Sequence, residues 1–411
     1  MRRVLLFCSA MLLLLLTACS VPAMFTVRPS ELPRGQTLSQ LHLEQIPPDR
    51  HICAWIPYFS VTALCAGGTE ESCRSAVSEY LGEAQRFHIT DVFLHVCAFG
   101  EAFYPSDYYP PAPEAMGLDI MQIFTDLCPQ YGIALHAWIN PLRLQTADRI
   151  DSMEGDQRLA AWCRAQQTRT ANLSLWEGRY YLDPARPAVR AFLAAAAAEL
   201  TERYHPAGIH IDDYFYPTTD VRFDALAFAE SGAESLAAWR TENISQTVQG
   251  MYQAVHAAVD DTVFSVSPQG DPELDRTELY ADVSRWMREP GFCDIMLPQI
   301  YFGYQNEFSP FTVMLDKWRA MPRDSAVELL PGLAAYKSGA EDAFAGSGQA
   351  EWQTDSTVLT RQAVQLLTAP DLSGAAFYHL DALLALPETE QKRLQEALRP
   401  AAKENDSDEN T

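Results

Sequence analysis

Eight short apolar runs punctuate the chain, each closed by turn or helix signals, and they constrain the fold more than any other feature. They are HICAWIPYF from His51, DVFLHVCAF from Asp91, IALHAWIN from Ile133, GIHIDDYF from Gly208, VFSVSPQ from Val263, CDIMLPQIYF from Cys293, ELLPGLAAY from Glu328 and GAAFYHLDAL from Gly374. Amphipathic helical patterns lie between most of them, as in Ala188–Arg203 and Glu242–Val259. Strands that alternate with helices make βαβ units and a parallel sheet. Eight such units predict an α/β fold of the (β/α)8 TIM-barrel type in a single domain. An open doubly wound sheet is the competing architecture, but no Gly-x-Gly-x-x-Gly follows an early strand.

The ends of the chain read differently. Arg2 and Arg3 precede 13 apolar residues, Val4–Leu16, too few to cross a bilayer and suited to a signal peptide. The run closes on Leu16-Thr17-Ala18-Cys19, which resembles a bacterial lipobox and implies cleavage before Cys19 and a lipid on its sulfur. The expected organisation is a leader over 1–19, a Pro-rich tether over 20–49, the barrel over 50–398 and an acidic tail over 399–411. The partners expected are a membrane, through the lipid anchor, and a polysaccharide. A net charge of −24 and a pI near 4.7 argue against nucleic acid, whose phosphates would be repelled. There is no CxxC and no zinc-ligand spacing, and no cofactor or metal is expected. Cys65 and Cys73 flank a short glycine-containing loop and can form a disulfide outside the cell.

Barrel enzymes place their chemistry at the C-terminal ends of the strands, so the last residues of each run matter most. Side chains alternate faces along a strand. In the fourth run this puts His210, Asp212 and Tyr214 on the axis side and Ile209 and Ile211 on the helix side. The third run gives His136, Trp138 and Asn140 inward, with Arg143 just beyond. The fifth gives Ser265, Ser267 and Gln269, and the sixth Gln299 and Tyr301. The second offers His95, Cys97, Phe99 and then Glu101. The seventh ends at Tyr336 and Lys337, and the eighth carries His379 and Asp381. Carboxylates, amides and rings therefore converge at one end, where a purely structural interior would carry Val, Ile and Leu.

Glycoside hydrolysis needs that mixture. Two carboxylates act at the scissile bond, rings stack on sugar faces, and amides hold hydroxyls. Asp212 is the leading carboxylate, as nucleophile or general base. Asp213, Glu101 and Asp271 are candidates for the acid. His136, Trp138, Asn140, Arg143, His210, Tyr214, Gln269, Gln299, Tyr301 and Lys337 are the candidate sugar contacts. Local capping of the following turn is the plainer role for either aspartate of the pair.

Several long motifs, in order from Asp49 to Leu384, resemble the family-10 glycosyl-hydrolase-like lipoproteins. They include FGEAFYPSDYYP from Phe99, HAWINPLR from His136, YYLDPARPAVR from Tyr180, GIHIDDYFYP from Gly208, SVSPQG from Ser265, LPQIYFGY from Leu297 and GLAAYKSG from Gly332. The resemblance implies a (β/α)8 barrel with glycosidase-type activity, in some members on bacterial cell-wall glycan. Two motifs depart from the family pattern: in the second-strand motif Cys97 and Glu101 stand where Arg and Asp are common, and in the fifth-strand motif Asp271 stands where Asn is common. The functional expectation is a surface-anchored glycoside hydrolase. The alternatives are a non-catalytic glycan-binding lipoprotein, and a metal-dependent hydrolase or deacetylase using the inward histidines.

Overall fold

The structure is a computed structural model and describes residues 46–401. The expected leader, the lipid-bearing Cys19, most of the tether and the tail beyond residue 401 lie outside the described residues. Each apolar run supplies one barrel strand. In order they are His51–Ile56, Asp91–Ala98, Ala134–Ile139, Gly208–Ile211, Val263–Val266, Ile295–Met296, Glu328–Leu329 continued by Gly332–Leu333, and Gly374–Phe377. Each pairs in parallel with the next, and the eighth pairs with the first, so the ring is closed. The seventh strand is split because Pro331 has no N–H to give to a ladder. Its first half pairs with the sixth strand and its second half with the eighth. The Pro331 carbonyl still accepts from Ala376 N at 3.1 Å.

Ile52, Ala54, Ile56, Val92, Leu94, Ile209 and Ile211 face the helices and join the main core. The helical patterns read from the sequence appear as Pro187–Tyr204 and Leu236–Ala258, which pack on each other. The alternate residues fill the barrel with a second cluster that mixes the rings of Trp55, Phe93 and Trp138 with aliphatic residues such as Leu297 and Leu330. Gly208 opens the fourth strand because any Cβ there would collide with the His136 imidazole. Cys65 and Cys73 are joined as a disulfide.

One element was not anticipated. Between the third strand and helix Pro187–Tyr204 lies a three-stranded antiparallel sheet, Arg143–Thr146 beside Arg179–Leu182 beside Leu173–Trp176. Its strands are four residues long, too short for a clear alternation. Its tight turn is Glu177-Gly178, with φ of 48° and 77°. That is the primed-turn geometry, but built without the Asn or Asp that usually advertises it.

The loop after the fourth strand is anchored from behind. Arg240, on helix Leu236–Ala258, is fully buried and paired with the equally buried Asp224 at 2.6 Å. It also donates to the carbonyls of Thr218 (3.2 Å) and Asp220 (2.8 Å). Removing one member of a buried pair leaves a charge without a partner, at a cost of about 3–5 kcal/mol. Arg240→Ala should lose about that much in urea unfolding, and a loss below about 1 kcal/mol would show that the pair is not an anchor.

Candidate active site

The fourth strand ends at Ile211, so strand alternation no longer governs the two aspartates that follow. Asp212 is buried in the mouth of the barrel and Asp213 is half-buried beside it. Asp212 Oδ2 accepts from Trp138 Nε1 at 2.9 Å and from Asn140 Nδ2. Its Oδ1 has only a long contact of 3.4 Å from Tyr214 N. Asp213 Oδ2 accepts from Gln269 Nε2. Gln299 is fixed by a bond from its Nε2 to Ser267 O at 3.0 Å and also favours the charged form of Asp213.

Burial pushes the Asp212 carboxyl well above the usual carboxylate range, and the adjacent Asp213 charge pushes it further; the N–H donors oppose this. Burial also raises Asp213, against the pull of Gln299, Gln269 and Arg143. The pair therefore passes through a singly ionised state, and hydrogen bonding decides where the charge sits. Trp138 can only donate. The Asn140 amide is oriented by its Oδ1, which accepts from Phe99 N at 3.3 Å. Both hold an anion on Asp212. The Gln269 amide has no second side-chain partner among the described residues and can turn to accept from a protonated Asp213. The N–H donors favour charge on Asp212 and oppose its burial, while Gln299, Gln269 and Arg143 favour charge on Asp213, so the two carboxyls compete for a single proton.

Around the pair, Tyr301 and Tyr378 form a wall with ring centroids 5.6 Å apart, and both feel the aspartate charges. Tyr214 (40 % exposed), Tyr336 (45 %) and Phe59 (44 %) stand at the rim. Arg143 lies over the Tyr214 ring at 4.5 Å, and both Arg143 and Arg179 lie over Phe99. The two guanidiniums come from the small antiparallel sheet. Burial and the charge of Arg143 hold Arg179 below its usual pKa.

The structure thus gathers Asp212, Asp213, Trp138, Asn140, Arg143, Tyr214, Gln269, Gln299 and Tyr301, but not the other candidates. Glu101 is turned away by a tight hairpin at Phe99 and Gly100, whose φ values are 56° and 78°. Its carboxylate pairs with Arg149 and accepts from Gln145 at 2.8 Å. Asp271 caps helix Pro272–Thr277 and meets Lys317 at 3.2 Å. Lys337 is committed to Asp342 and the Tyr301 carbonyl, both at 2.7 Å. His136 points inward but lies at the opposite end of the barrel, 3.2 Å from Asp91, which also holds His51 at 2.8 Å. His210 lies one layer below the mouth. It accepts from Trp55 Nε1 at 3.0 Å and, through Nδ1, meets Ser265 Oγ at 2.8 Å, so no ring nitrogen is left for a sugar. Trp138 is buried and stacked on His95 at 3.8 Å, which makes it a support for Asp212 and not a sugar platform.

Sequence reasoning overlooked Trp55, Arg179, Tyr378 and Asp275. Parity marks Trp55 and Tyr378 as inward on the first and eighth strands. On the eighth, attention fell instead on His379 and on Asp381, which is held by Ser60 and Tyr80. Asp275 is fully buried and accepts from Gln269 N at 3.0 Å, an arrangement no local pattern announces.

The glycosyl hydrolase-like 10 profile matches residues 72–352. The chain belongs to this family. Glycosyl hydrolase DigH of Escherichia coli K12 is 27% identical over 371 residues, covering 82% of this chain and 82% of that protein. Glycosyl hydrolase YngK of Bacillus subtilis strain 168 is 26% identical over 289 residues, 62% of this chain and 54% of YngK. Among solved structures, the PgaB (BpsB) glycoside hydrolase domain from Bordetella bronchiseptica has a TM-score of 0.56 at 13% identity, covering 86% of this chain and 100% of that one, and shares the fold.

A carboxyl whose pKa is raised on folding keeps its proton after the unfolded chain has lost it. Stability therefore falls as pH rises from about 3.9 through the raised value, and stays low above it. Asp212→Asn removes that penalty while keeping an acceptor for Trp138. Its Tm should exceed the wild-type value at pH 7, with the gap closing toward pH 3. An equal or lower Tm at pH 7 would contradict the burial cost assigned to this carboxyl.

Proposed function

We propose that the protein is a glycoside hydrolase that cleaves a polysaccharide at the Asp212–Asp213 mouth. The reading is carried by one observation: two adjacent carboxyls, both raised by burial, share the mouth in different surroundings, the deep one accepting from Trp138 and Asn140 and the outer, half-buried one from Gln269. Acid–base work on a glycosidic bond needs one group of each kind. The outer acid protonates the departing oxygen, and the buried anion stabilises the positive charge that develops on the sugar ring. Gln269 and Gln299 position the acid, while Tyr214, Tyr301 and Tyr336 offer faces to sugar rings. Family membership and the relatives named as glycosyl hydrolases support the same reaction class. The substrate proposed is a glycan of the bacterial wall or another extracellular polysaccharide. The lipobox-like end of the apolar leader supports anchoring outside the cytoplasm through Cys19.

The purified domain should release reducing ends from such a glycan. Asp213→Asn and Asp212→Asn should each lower kcat by about 10²–10⁴-fold, the usual contribution of a positioned acid or base. Either variant retaining full activity would remove that residue from the mechanism.

The pH profile gives an independent check. Activity should fall on the alkaline side as Asp213 loses its proton. Arg143 favours the ionised form of Asp213, so Arg143→Ala should move that limb to higher pH. A limb that stays in place would show that Asp213 is not the titrating acid.

A further inference from the structure

A second polar cluster lies at the end of the barrel away from the mouth, where the strands begin. His51 and Cys53 stand two residues apart on the first strand and so share its axis side. Asp91 opens the second strand and lies beside Cys53 in the parallel register. His51 Nδ1 is 2.8 Å from Asp91 Oδ2, and one donor atom from each of the three residues, the Cys53 sulfur included, lies within 4.8 Å of the other two. Cys53 and Asp91 are buried, while the His51 side chain is 37 % exposed and leaves a way in from solvent.

The set offers one imidazole, one thiolate and one carboxylate. Hard cations such as Ca²⁺ and Mg²⁺ take oxygen ligands, whereas a thiolate beside an imidazole suits Zn²⁺. Zinc bonds near 2.0–2.3 Å place the ligand atoms of a tetrahedral site about 3.3–3.7 Å apart, so the cluster needs shifts of about 1 Å or less. Thiolate and carboxylate together balance the double charge of the cation, so no net charge is buried with it.

The surroundings complete the pattern. A metal-bound imidazole usually gives its other N–H to a carboxylate, and a ligating carboxylate is itself held by hydrogen bonds. With Nδ1 on the metal, His51 carries its proton on Nε2, and Glu328 Oε2 lies 3.8 Å from that atom. That Glu328 oxygen is buried and has no hydrogen-bond partner among the described residues. Asp91 Oδ1 meets His136 Nε2 at 3.2 Å, and Thr90 Oγ1 donates to Oδ2 at 2.5 Å.

We propose that His51 Nδ1, Cys53 Sγ and Asp91 Oδ2 bind a zinc ion at the base of the barrel, with water as the fourth ligand and with Glu328 and His136 orienting the ligands. The cation takes the place of the proton between His51 and Asp91, and displaces the thiol proton of Cys53. Residues at this face of a barrel serve stability, so the site is structural. The ion ties the first strand to the second and, through Glu328, to the seventh. The site stands apart from the Asp212–Asp213 mouth and goes beyond the hydrolase reading, which can fail without touching it. His51 and Asp91 are 40 residues apart in sequence, so no short metal motif announces them.

The experiment uses the purified full chain, stripped of metal by a chelator and then titrated with Co²⁺ and Zn²⁺. Co²⁺ should give a thiolate-to-cobalt charge-transfer absorption that saturates at one ion per chain, and Zn²⁺ should abolish it by displacement. Cys53→Ser should lose that absorption, and His51→Asn should weaken Co²⁺ binding at least about 10-fold. Zn²⁺ should also raise the Tm of the stripped wild-type protein, because it binds the folded site. That rise should vanish in His51→Asn, whose partly exposed side chain makes it the milder change should Cys53→Ser fail to fold. Absence of the thiolate absorption, or its survival in Cys53→Ser, overturns the inference. Co²⁺ binding that His51→Asn leaves unchanged is adventitious binding to surface carboxylates and overturns it as well. A wild-type Tm indifferent to Zn²⁺ overturns the structural role.

Discussion

A closed eight-stranded barrel admits no bulk water to its axis, so a polar atom placed there is costly unless it meets a partner on a facing strand. That constraint organises the interior of this protein. Trp55 on the first strand reaches His210 on the fourth, and His210 reaches Ser265 on the fifth. Because the indole N–H can only donate, His210 must present a bare Nε2 to it and carry its proton on Nδ1. Burial also keeps this ring neutral, well below the usual histidine pKa. One layer up, His95 stacks on Trp138, whose N–H in turn fixes Asp212. The rings thus share the interior with aliphatic residues and carry hydrogen-bond order from the middle of the barrel to its mouth.

Charge is distributed against the overall balance of the chain. The molecule is strongly acidic, yet the inserted antiparallel sheet delivers Arg143 and Arg179 to the rim beside the two aspartates. Arg143 lies close enough to favour ionisation of Asp213, and so opposes the burial that keeps this residue an acid. The insertion is therefore more than a decoration of the third loop. It sets how far the pKa of the outer carboxyl can rise, and with it the pH range over which a proton is available.

How much of this was legible depended on whether a residue lay inside a strand or past its end. Within strands the alternation rule worked: Trp138, His210 and Ser265 point inward, and Ile209 and Ile211 outward, as the sequence pattern predicts. The closed ring itself followed from eight apolar runs separated by helical patterns. Alternation says nothing about depth along the axis, which is why His136 and His210 were read as sugar contacts although they lie below the mouth. It also fails once a ladder ends. Glu101 follows a hairpin turn, Asp271 opens a helix, and Lys337 finds Asp342 in its own loop. The grouping of Trp138, Asn140 and Gln269 around the aspartate pair draws on several strands at once, and no local stretch encodes it.

The same limit explains the two aspartates of GIHIDDYFYP. Had the fourth strand run two residues further as regular ladder, Asp213 would have faced the helices, where a carboxyl without a partner is strongly disfavoured. Instead the ladder stops at Ile211, and the chain folds into a tight turn in which Phe215 N meets Asp213 O at 2.8 Å. Downstream, Arg240 grips the carbonyls of Thr218 and Asp220 from a helix behind the sheet. A buried ion pair can be replaced by apolar residues with little loss of stability, so stability alone does not account for its presence. Its geometric consequence is specific: it fixes where the loop returns to the core, and hence the turn that brings Asp213 alongside Asp212. The adjacent pair is then a property of the turn and its remote anchor as much as of the two residues themselves.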